Sequence, residues 1–346
     1  MNKFKVILQI TLLIVLSACS DSNDANRPYE VLFRGMTMGT VSYNVKVIIK
    51  PDTLLGSKFD QQQSHKDIDE ILQQLLQDMS NWEANSELTR FNKSTSLSQV
   101  TISEGLRRVL AESIRLGNLS EGKLDVTIGP LINLWGFGPE YRPEKVPTDI
   151  ELQTAQARTG LKYLTLDGNK LSKAIPDLYI DLSTIAKGYA VDLIAEYFES
   201  KGMHNYLVEI GGEMRLKGFK HTGELWHVAI EKPLTEERVV HQIIIPKDNA
   251  LATSGDYRKY FEANGQRFSH IIDPKSGKPI NHKLASVTVI HPSSMTADGL
   301  STAMMLMGED KALAFAEKNE LAAYMIIKTD HGFVEQSTVK FMQYLK

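Results

Sequence analysis

"DLYIDLSTIAKGYAVDLIAEYF", Asp177 to Phe198, is the stretch on which the reading of the fold turns. Leu178, Tyr179 and Ile180 have the composition of a strand, which ends at Asp181. An amphipathic helix follows, expected to start at Ser183 or Thr184, either of which can cap it. A strand, a polar turn and a helix carrying Lys187-Gly188 have the form of a phosphate-binding turn. It is not a P-loop: the glycines are missing, and no Ser or Thr follows the Lys-Gly pair. Asp181, Thr184 and Lys187 could face a polyanion from one side. The plainer alternative is a capping hydroxyl, a turn-forming Asp181 and a solvated Lys187.

Working outward, apolar spacing sorts the chain into elements. In "KDIDEILQQLLQDMSNW", Ile68, Ile71, Leu72, Leu75, Leu76 and Met79 recur every three or four residues, predicting a helix with Trp82 just past its end. A second helix is expected over "SEGLRRVLAESIRLGNLS", capped by Ser103. "FRGMTMGTVSYNVKVII" predicts a strand entered from a Met/Gly-rich approach, and "GKLDVTIGPLINLWGFGPE" predicts loop and short elements. "LYIDL", "YLVEIGG", "WHVAIEKP", "RVVHQIIIP" and "ASVTVIHP" carry strand composition. "MTADGLSTAMMLMGEDKALAFAEK" predicts two helices broken at Gly308, and "LAAYMIIK" a closing strand. The expected fold class is α+β (mixed α/β), because strands and helices interleave irregularly. One large domain over residues 31–346, with mixed β-sheets and flanking helices, is long enough to divide into two lobes.

Composition bounds the partners. The 346 residues carry a formal charge of −3, which offers no basic footprint for nucleic acid. Residues 1–18 read as a signal peptide. Lys3 and Lys5 precede an apolar run from Val6 to Leu16 that is too short to span a bilayer. "LSAC", Leu16 to Cys19, resembles the lipobox of bacterial lipoproteins, which implies lipidation at Cys19 and cleavage just before it. Cys19 is the only cysteine, so no internal disulfide can form. Residues 19–30 then read as an anchored cysteine and a polar tether that holds the domain against a bacterial membrane. Loss of Lys3 and Lys5, with no acid, takes the charge from −3 to −5.

Two further stretches could carry chemistry. In "TADGLSTAMM", Asp298, Ser301 and Thr302 stand at i, i+3 and i+4, so on a helix their oxygens share a face. A hard divalent cation such as Mg²⁺ takes such ligands and keeps several waters. The alternative is an acid favoured by the helix dipole beside two incidental hydroxyls. The nine histidines form no HxH or HExxH, so zinc spacing is absent. "ATSGDYRKYF" precedes "RFSHIIDPKSGKPI", a predicted hairpin turning at Asp273–Gly277. His270 stands there beside a small, polar run; a structural role is its plainer reading. In "EIGGEM", Gly211-Gly212 marks a tight turn or a close approach to a ligand.

Taken together, "GMTMGT", "GKLDVTIGPLINLWGFG", "DLSTIAKGYAVD", "VEIGG", "ATSGDY", "HIIDPKSGKPI" and "TADGLSTA" resemble, in order, the motifs of the ApbE family of flavin transferases. The resemblance implies lipoproteins that bind FAD and Mg²⁺, attach FMN to a Thr or Ser hydroxyl of another protein, and release AMP. It implies acceptors among subunits of sodium-pumping quinone reductases and related electron-transport complexes. By matching position, Met38, Trp82, Lys123, Leu124, Asp125, Asp181, Lys187 and Ile272 would contact FAD. Thr184, Asp298, Ser301 and Thr302 would surround the metal, with Thr184 offering its backbone carbonyl, its hydroxyl or neither. His270 would be the general base, with Lys187 and Asp181 beside it in the catalytic set. The resemblance also places the protein on the periplasmic side of a bacterial membrane, favouring the inner membrane and leaving the outer open.

That chemistry is coherent. Cleaving a pyrophosphate requires its charge to be neutralised and a nucleophile to be held in line. A hydroxyl is a poor nucleophile near neutral pH, so a base such as histidine is useful. The alternatives are a FAD pyrophosphatase using water, a non-enzymatic FAD-binding lipoprotein, and a flavin oxidoreductase that needs no metal.

Overall fold

Alternating apolar residues build one antiparallel sheet that carries everything else. The computed structural model describes residues 27–140, 145–234, 239–257, 260–263 and 265–346. Cys19 and the expected signal segment lie outside the described residues. The first elements are β1 (Tyr29–Thr37), β2 (Val41–Ile49), α1 (Gln61–Met79), α2 (Glu87–Lys93), β3 (Val100–Thr101) and α3 (Glu104–Leu119). There follow α4 (Gly129–Leu134), α5 (Asp149–Gln156), β4 (Leu164–Asp167), β5 (Lys170–Lys173), α6 (Ala186–Ser200), β6 (Tyr206–Ile210) and β7 (Glu213–Lys217). Next come β8 (Val228–Glu231), β9 (Val240–Ile244), β10 (Ala250–Gly255), β11 (Tyr260–Ala263), β12 (Gln266–Ser269) and β13 (Leu284–His291). The chain closes with α7 (Ser294–Met307), α8 (Glu309–Lys318), β14 (Ala322–Thr329) and β15 (Gly332–Ser337).

The main sheet has the order β1-β2-β6-β7-β10-β13-β14-β15, and each neighbouring pair is antiparallel. The α+β expectation holds. One face packs Val45, Val47, Val208, Val287 and Met325 against α1, α3, α6 and α7. The other face places Leu216, Leu251, Ile290 and Tyr324 under the β8–β9 hairpin and a 3₁₀ segment, Val339–Tyr344. A third cluster joins α4 and α5 to Phe261 of β11 and to Ile272. Period-two strands can bury both faces only when both are covered, and β13 is buried at every position but its last, His291.

The helices predicted from spacing form where caps permit. Asp60 accepts a bond from Gln63 N–H and opens α1, and Ser103 opens α3 through Leu106 N–H. Gly308 separates α7 from α8, as expected. Several boundaries differ. The Met/Gly-rich approach is itself β1 and a turn, with Met38 (φ 49°) and Gly39 (φ 81°) in the left-handed region. Tyr29 and Glu30, the end of the expected tether, already belong to β1. "LAAYMIIK" is β14 but does not close the chain, since β15 pairs with it. The hairpin at Asp273–Gly277 is a short return bridged only by Ile272 and Pro279.

The opening stretch departs most. Leu178–Leu182 forms no strand, because no neighbouring strand is there to pair with it. Tyr179 makes one isolated parallel bridge to Ile128, and Asp181 N–H donates to Val126 C=O at 2.7 Å. The buried side chain of Asn92 substitutes for a strand partner. It accepts from Ile180 N–H and donates to Ile180 C=O, both at 2.9 Å. Helix α6 begins at Ala186, later than expected, because Asp181 Oδ1 accepts from both the N–H (2.8 Å) and the hydroxyl (2.5 Å) of Ser183. Neither hydroxyl offered as a cap serves as one: Ser183 closes the preceding turn, and Thr184 Oγ1 has no partner among the described residues.

Asp192 of α6 ties the layers together. It accepts from Ser293 Oγ (2.7 Å), Ser294 N–H and Met295 N–H (both 3.0 Å), so a side chain of one helix caps the next. Arg215 of β7 donates to the same carboxylate at 3.0 Å and also pairs with Glu199. Replacing Asp192 by Ala removes a cap and one partner of a buried ion pair. Urea denaturation is expected to show a loss of about 3 kcal/mol, the low end for such pairs because Arg215 keeps Glu199. His291, at the end of β13, is held neutral by burial, which depresses its pKa, and its Nδ1 accepts from Ser293 N–H at 3.0 Å. A depressed histidine adds stability that is present above the unfolded value of about 6.5 and is lost as pH falls through the folded value. Melting curves should therefore show a decline below about pH 6.5 that is shallower in His291→Gln.

Candidate active site

A cleft of ≈ 570 Å³ opens where the β6–β7 and β10 tips, the start of α6, α7 and the third cluster meet. That volume is typical of a site for a small organic ligand. Each wall comes from a different element. The Asp181 turn and α6 bring Asp181, Ser183, Thr184 and Lys187, and the loop after α3 brings Lys123, Leu124 and Asp125. The β6–β7 turn contributes Gly211, Gly212 and Glu213, and β10 contributes Thr253, Ser254 and Gly255. From α7 come Asp298 and Thr302, and from the hairpin return His270, Ile271 and Ile272. Trp82, 67 % exposed, stands on the rim.

The floor is electrostatic. Lys187 Nζ lies 2.5 Å from Glu213 Oε1 and 3.7 Å from Asp298 Oδ1. Burial disfavours the lysine charge, but Asp298 and Glu213 outweigh it and hold the ammonium above the usual lysine range. Burial pushes the Asp298 carboxyl up, Lys187 pulls it down, Glu213 adds to the rise, and the net direction is upward. Asp298 Oδ2 accepts from Gly188 N–H in the first turn of α6 at 2.9 Å. That bond needs the two helices to touch. A Cβ on Gly188 would run into the carbonyl oxygen of Ser294 and come within 2.8 Å of Met295 Cα.

Hydroxyls complete this wall. Ser254 Oγ bonds Ser301 Oγ at 2.7 Å and Thr302 Oγ1 at 3.1 Å, and Ser301 also donates to Asp298 C=O at 2.9 Å. Thr184 Oγ1 is buried and has no hydrogen-bond partner among the described residues. An orphaned buried hydroxyl, a buried carboxylate and a second hydroxyl around one cavity are oxygen ligands that fit a hard cation. Among the described residues no three His, Cys, Asp or Glu side chains converge, so the donor set does not suit a softer metal. Asp125 is pushed up by burial against the bonds that Thr127 gives it. Lys123 pairs with Asp273 at 3.1 Å, and Trp135 Nε1–H donates to Gly277 C=O at 2.8 Å, fixing the hairpin return that bears His270. His270 packs edge-on to Phe137 at a ring distance of 6.2 Å.

Of the residues singled out in the sequence, Trp82, Lys123, Leu124, Asp125, Asp181, Thr184, Lys187, His270, Ile272, Asp298 and Thr302 all line this cleft. Ser301 sits fully buried just behind it, linked through Ser254. Met38 is not brought in; in the β1–β2 turn it packs against the main core.

The model of the ApbE family matches residues 38–325. The chain belongs to the ApbE family. It is 49% identical over 339 residues to the FAD:protein FMN transferase of Vibrio cholerae serotype O1, covering 98% of both chains. It is 49% identical over 341 residues to the FAD:protein FMN transferase of Haemophilus influenzae, covering 97% of this chain and 96% of that one. The solved flavin transferase ApbE from Vibrio cholerae superposes with a TM-score of 0.85 at 50% identity, covering 92% of this chain and all of that one. The apo flavinyl transferase ApbE of Pseudomonas stutzeri gives 0.84 at 40% identity, over 92% and 98%.

Sequence reasoning missed three polar residues of this ApbE-family site. Glu213 directly follows the flagged Gly211-Gly212 pair, so an acid after a tight turn was the available signal. Ser254 lay inside the quoted "ATSGDY" without being named. Asn92 holds the Asp181 turn from 88 positions away, and no local pattern announces such a contact. Because the α6–α7 contact has no room for a side chain, Gly188→Ala should cost about 1–3 kcal/mol in urea denaturation. An alanine elsewhere on α6, at exposed Ser200, should cost almost nothing.

Proposed function

We propose that this chain catalyses Mg²⁺-dependent transfer of FMN from FAD to a Thr or Ser hydroxyl of an acceptor protein, releasing AMP. The observation that carries the reading is the convergence, in one cleft, of a fixed ammonium, a set of buried oxygens and a histidine. Family membership supports the same reading, since the curated relatives are themselves named FAD:protein FMN transferases.

Each residue has work to do in that reaction. Lys187 presents positive charge to the pyrophosphate, and the positive end of the α6 helix dipole adds to it. Lys123, Leu124, Asp125 and Ile272 shape the cavity around the dinucleotide, and Trp82 on the rim offers a flat face to a heterocycle. Asp298 and Thr302, with Ser301 behind them and the buried Thr184, would hold Mg²⁺, which when bound acts as Lewis acid and template. His270 takes the proton of the acceptor hydroxyl as its oxygen bonds to the phosphorus of the FMN half. The P–O bond to the AMP half breaks, and AMP leaves with the electron pair. Asp181, its carboxylate engaged by Ser183, holds the turn in place.

The acceptors we propose are subunits of sodium-pumping quinone reductases or related electron-transport complexes. We place the enzyme on the periplasmic side of a bacterial membrane, anchored through Cys19, and the inner membrane suits acceptors of that kind. The test uses protein lacking residues 1–19, FAD, Mg²⁺ and a candidate acceptor subunit, read by mass spectrometry with AMP quantified. Acceptor-bound FMN in step with AMP is expected. Asp298→Ala or excess chelator should abolish it, and His270→Ala should slow it roughly 10²–10⁴-fold. AMP with only free FMN would make the chain a pyrophosphatase. Intact FAD throughout would make it a binding protein.

A further inference from the structure

Lys187 stands between two acids that have different claims on it. Glu213 Oε1 is 2.5 Å away, within hydrogen-bond reach, whereas Asp298 Oδ1 is 3.7 Å away and outside it. Both carboxylates are nearly buried, with side chains 5% and 3% exposed. Asp298 Oδ2 already accepts from Gly188 N–H, so Oδ1 is the oxygen with more acceptor capacity left for a cation. A shift of about 1 Å in the ammonium would close a charge-assisted bond to that oxygen and cover it.

Glu213 is built to prevent that shift. It enters from a tight turn in which Gly211 (φ 59°) and Gly212 (φ 107°) are both left-handed. Gly212 N–H donates to Glu209 Oε1 at 2.8 Å, and Asn44 Nδ2 holds Glu209 Oε2 at 2.7 Å. The acid therefore comes from a braced hairpin tip. Its other oxygen, Oε2, is buried with no partner among the described residues, so Lys187 is what the side chain is seen to hold.

Resting on the metal reading above, we propose that Glu213 is a positioning residue that keeps the Lys187 ammonium off Asp298. The carboxylate then stays available to the cation, and the lysine to the phosphates. Without Glu213, Lys187 turns to Asp298 and competes with the metal. Simple charge attraction predicts something different, in which removing an acid weakens the metal and removing a lysine strengthens it independently.

The two accounts separate in a variant cycle. The probe is Mn²⁺ alone, titrated into the FAD-free full chain in detergent, with free Mn²⁺ read by electron paramagnetic resonance. Glu213→Gln should weaken Mn²⁺ about tenfold, the scale of one charge-assisted bond. Lys187→Met alone should change it less than about threefold, because in the native site the ammonium faces Asp298 Oδ1 at 3.7 Å without covering it by a hydrogen bond. The double variant should return to within about threefold of the unaltered protein. Glu213→Asp keeps the charge on a shorter arm and should weaken Mn²⁺ as well, also reversed by Lys187→Met; it replaces Glu213→Gln if that variant fails to fold. Unchanged Mn²⁺ affinity in both Glu213 variants, or effects of the two sites that simply add, would overturn the inference and leave the metal site standing. No Mn²⁺ binding by the unaltered protein would overturn the metal reading and this inference with it.

Discussion

The hydrogen bond from Gly188 N–H to Asp298 fixes the distance between two helices, and the cleft is arranged around that distance. Helix α6 brings the ammonium of Lys187 to the cleft, and α7 brings the carboxylate of Asp298 and the hydroxyl of Thr302. Neither is useful unless they meet with no side chain between them, and the missing Cβ of Gly188 is what lets them meet. Asp192, one turn further along α6, secures the same contact by capping α7. Contact between the two helices is thus set at two levels, by backbone approach at the cleft and by a buried carboxylate behind it.

The charges at the floor do not balance. Two carboxylates and one ammonium are grouped there, which leaves one negative charge with little access to water. Burying uncompensated charge is costly, and the upward pull on the Asp298 carboxyl is how the protein alone answers it. The cation proposed for this site would answer it more completely. The orphaned hydroxyl of Thr184 belongs to the same account, since a buried polar atom without a partner is rarely left so for no reason.

Much of this was legible in the sequence, and the limits are physical. Helices α1 and α3 announced themselves because a repeating apolar stripe and a capping side chain are local signals. The i, i+3, i+4 oxygens of α7 were legible for the same reason. What failed was anything decided by a distant neighbour. Leu178–Ile180 has strand composition, but strand pairing needs a partner, and the structure supplies the amide of Asn92 instead. Ser183 and Thr184 both have the local form of a cap, yet Asp181 claims Ser183 first. Met38 matched a motif by position, and its place in the β1–β2 turn packs it against the core. Glu213 went unnamed because its meaning comes from Lys187, which lies on another element.

The order of strands in the main sheet follows the order of the chain from one edge to the other, β1 through β15. As a chain emerges from its N-terminal end, each new strand therefore meets an edge already made, with no need to insert between older neighbours. Helix α7 lies between β13 and β14, near the end of that sequence. Lys187 and Glu213 can be seated long before the oxygens of Asp298 and Thr302 arrive. A nascent chain is thus a nearly complete scaffold with an unfinished site, and binding competence comes only when the last stretch docks.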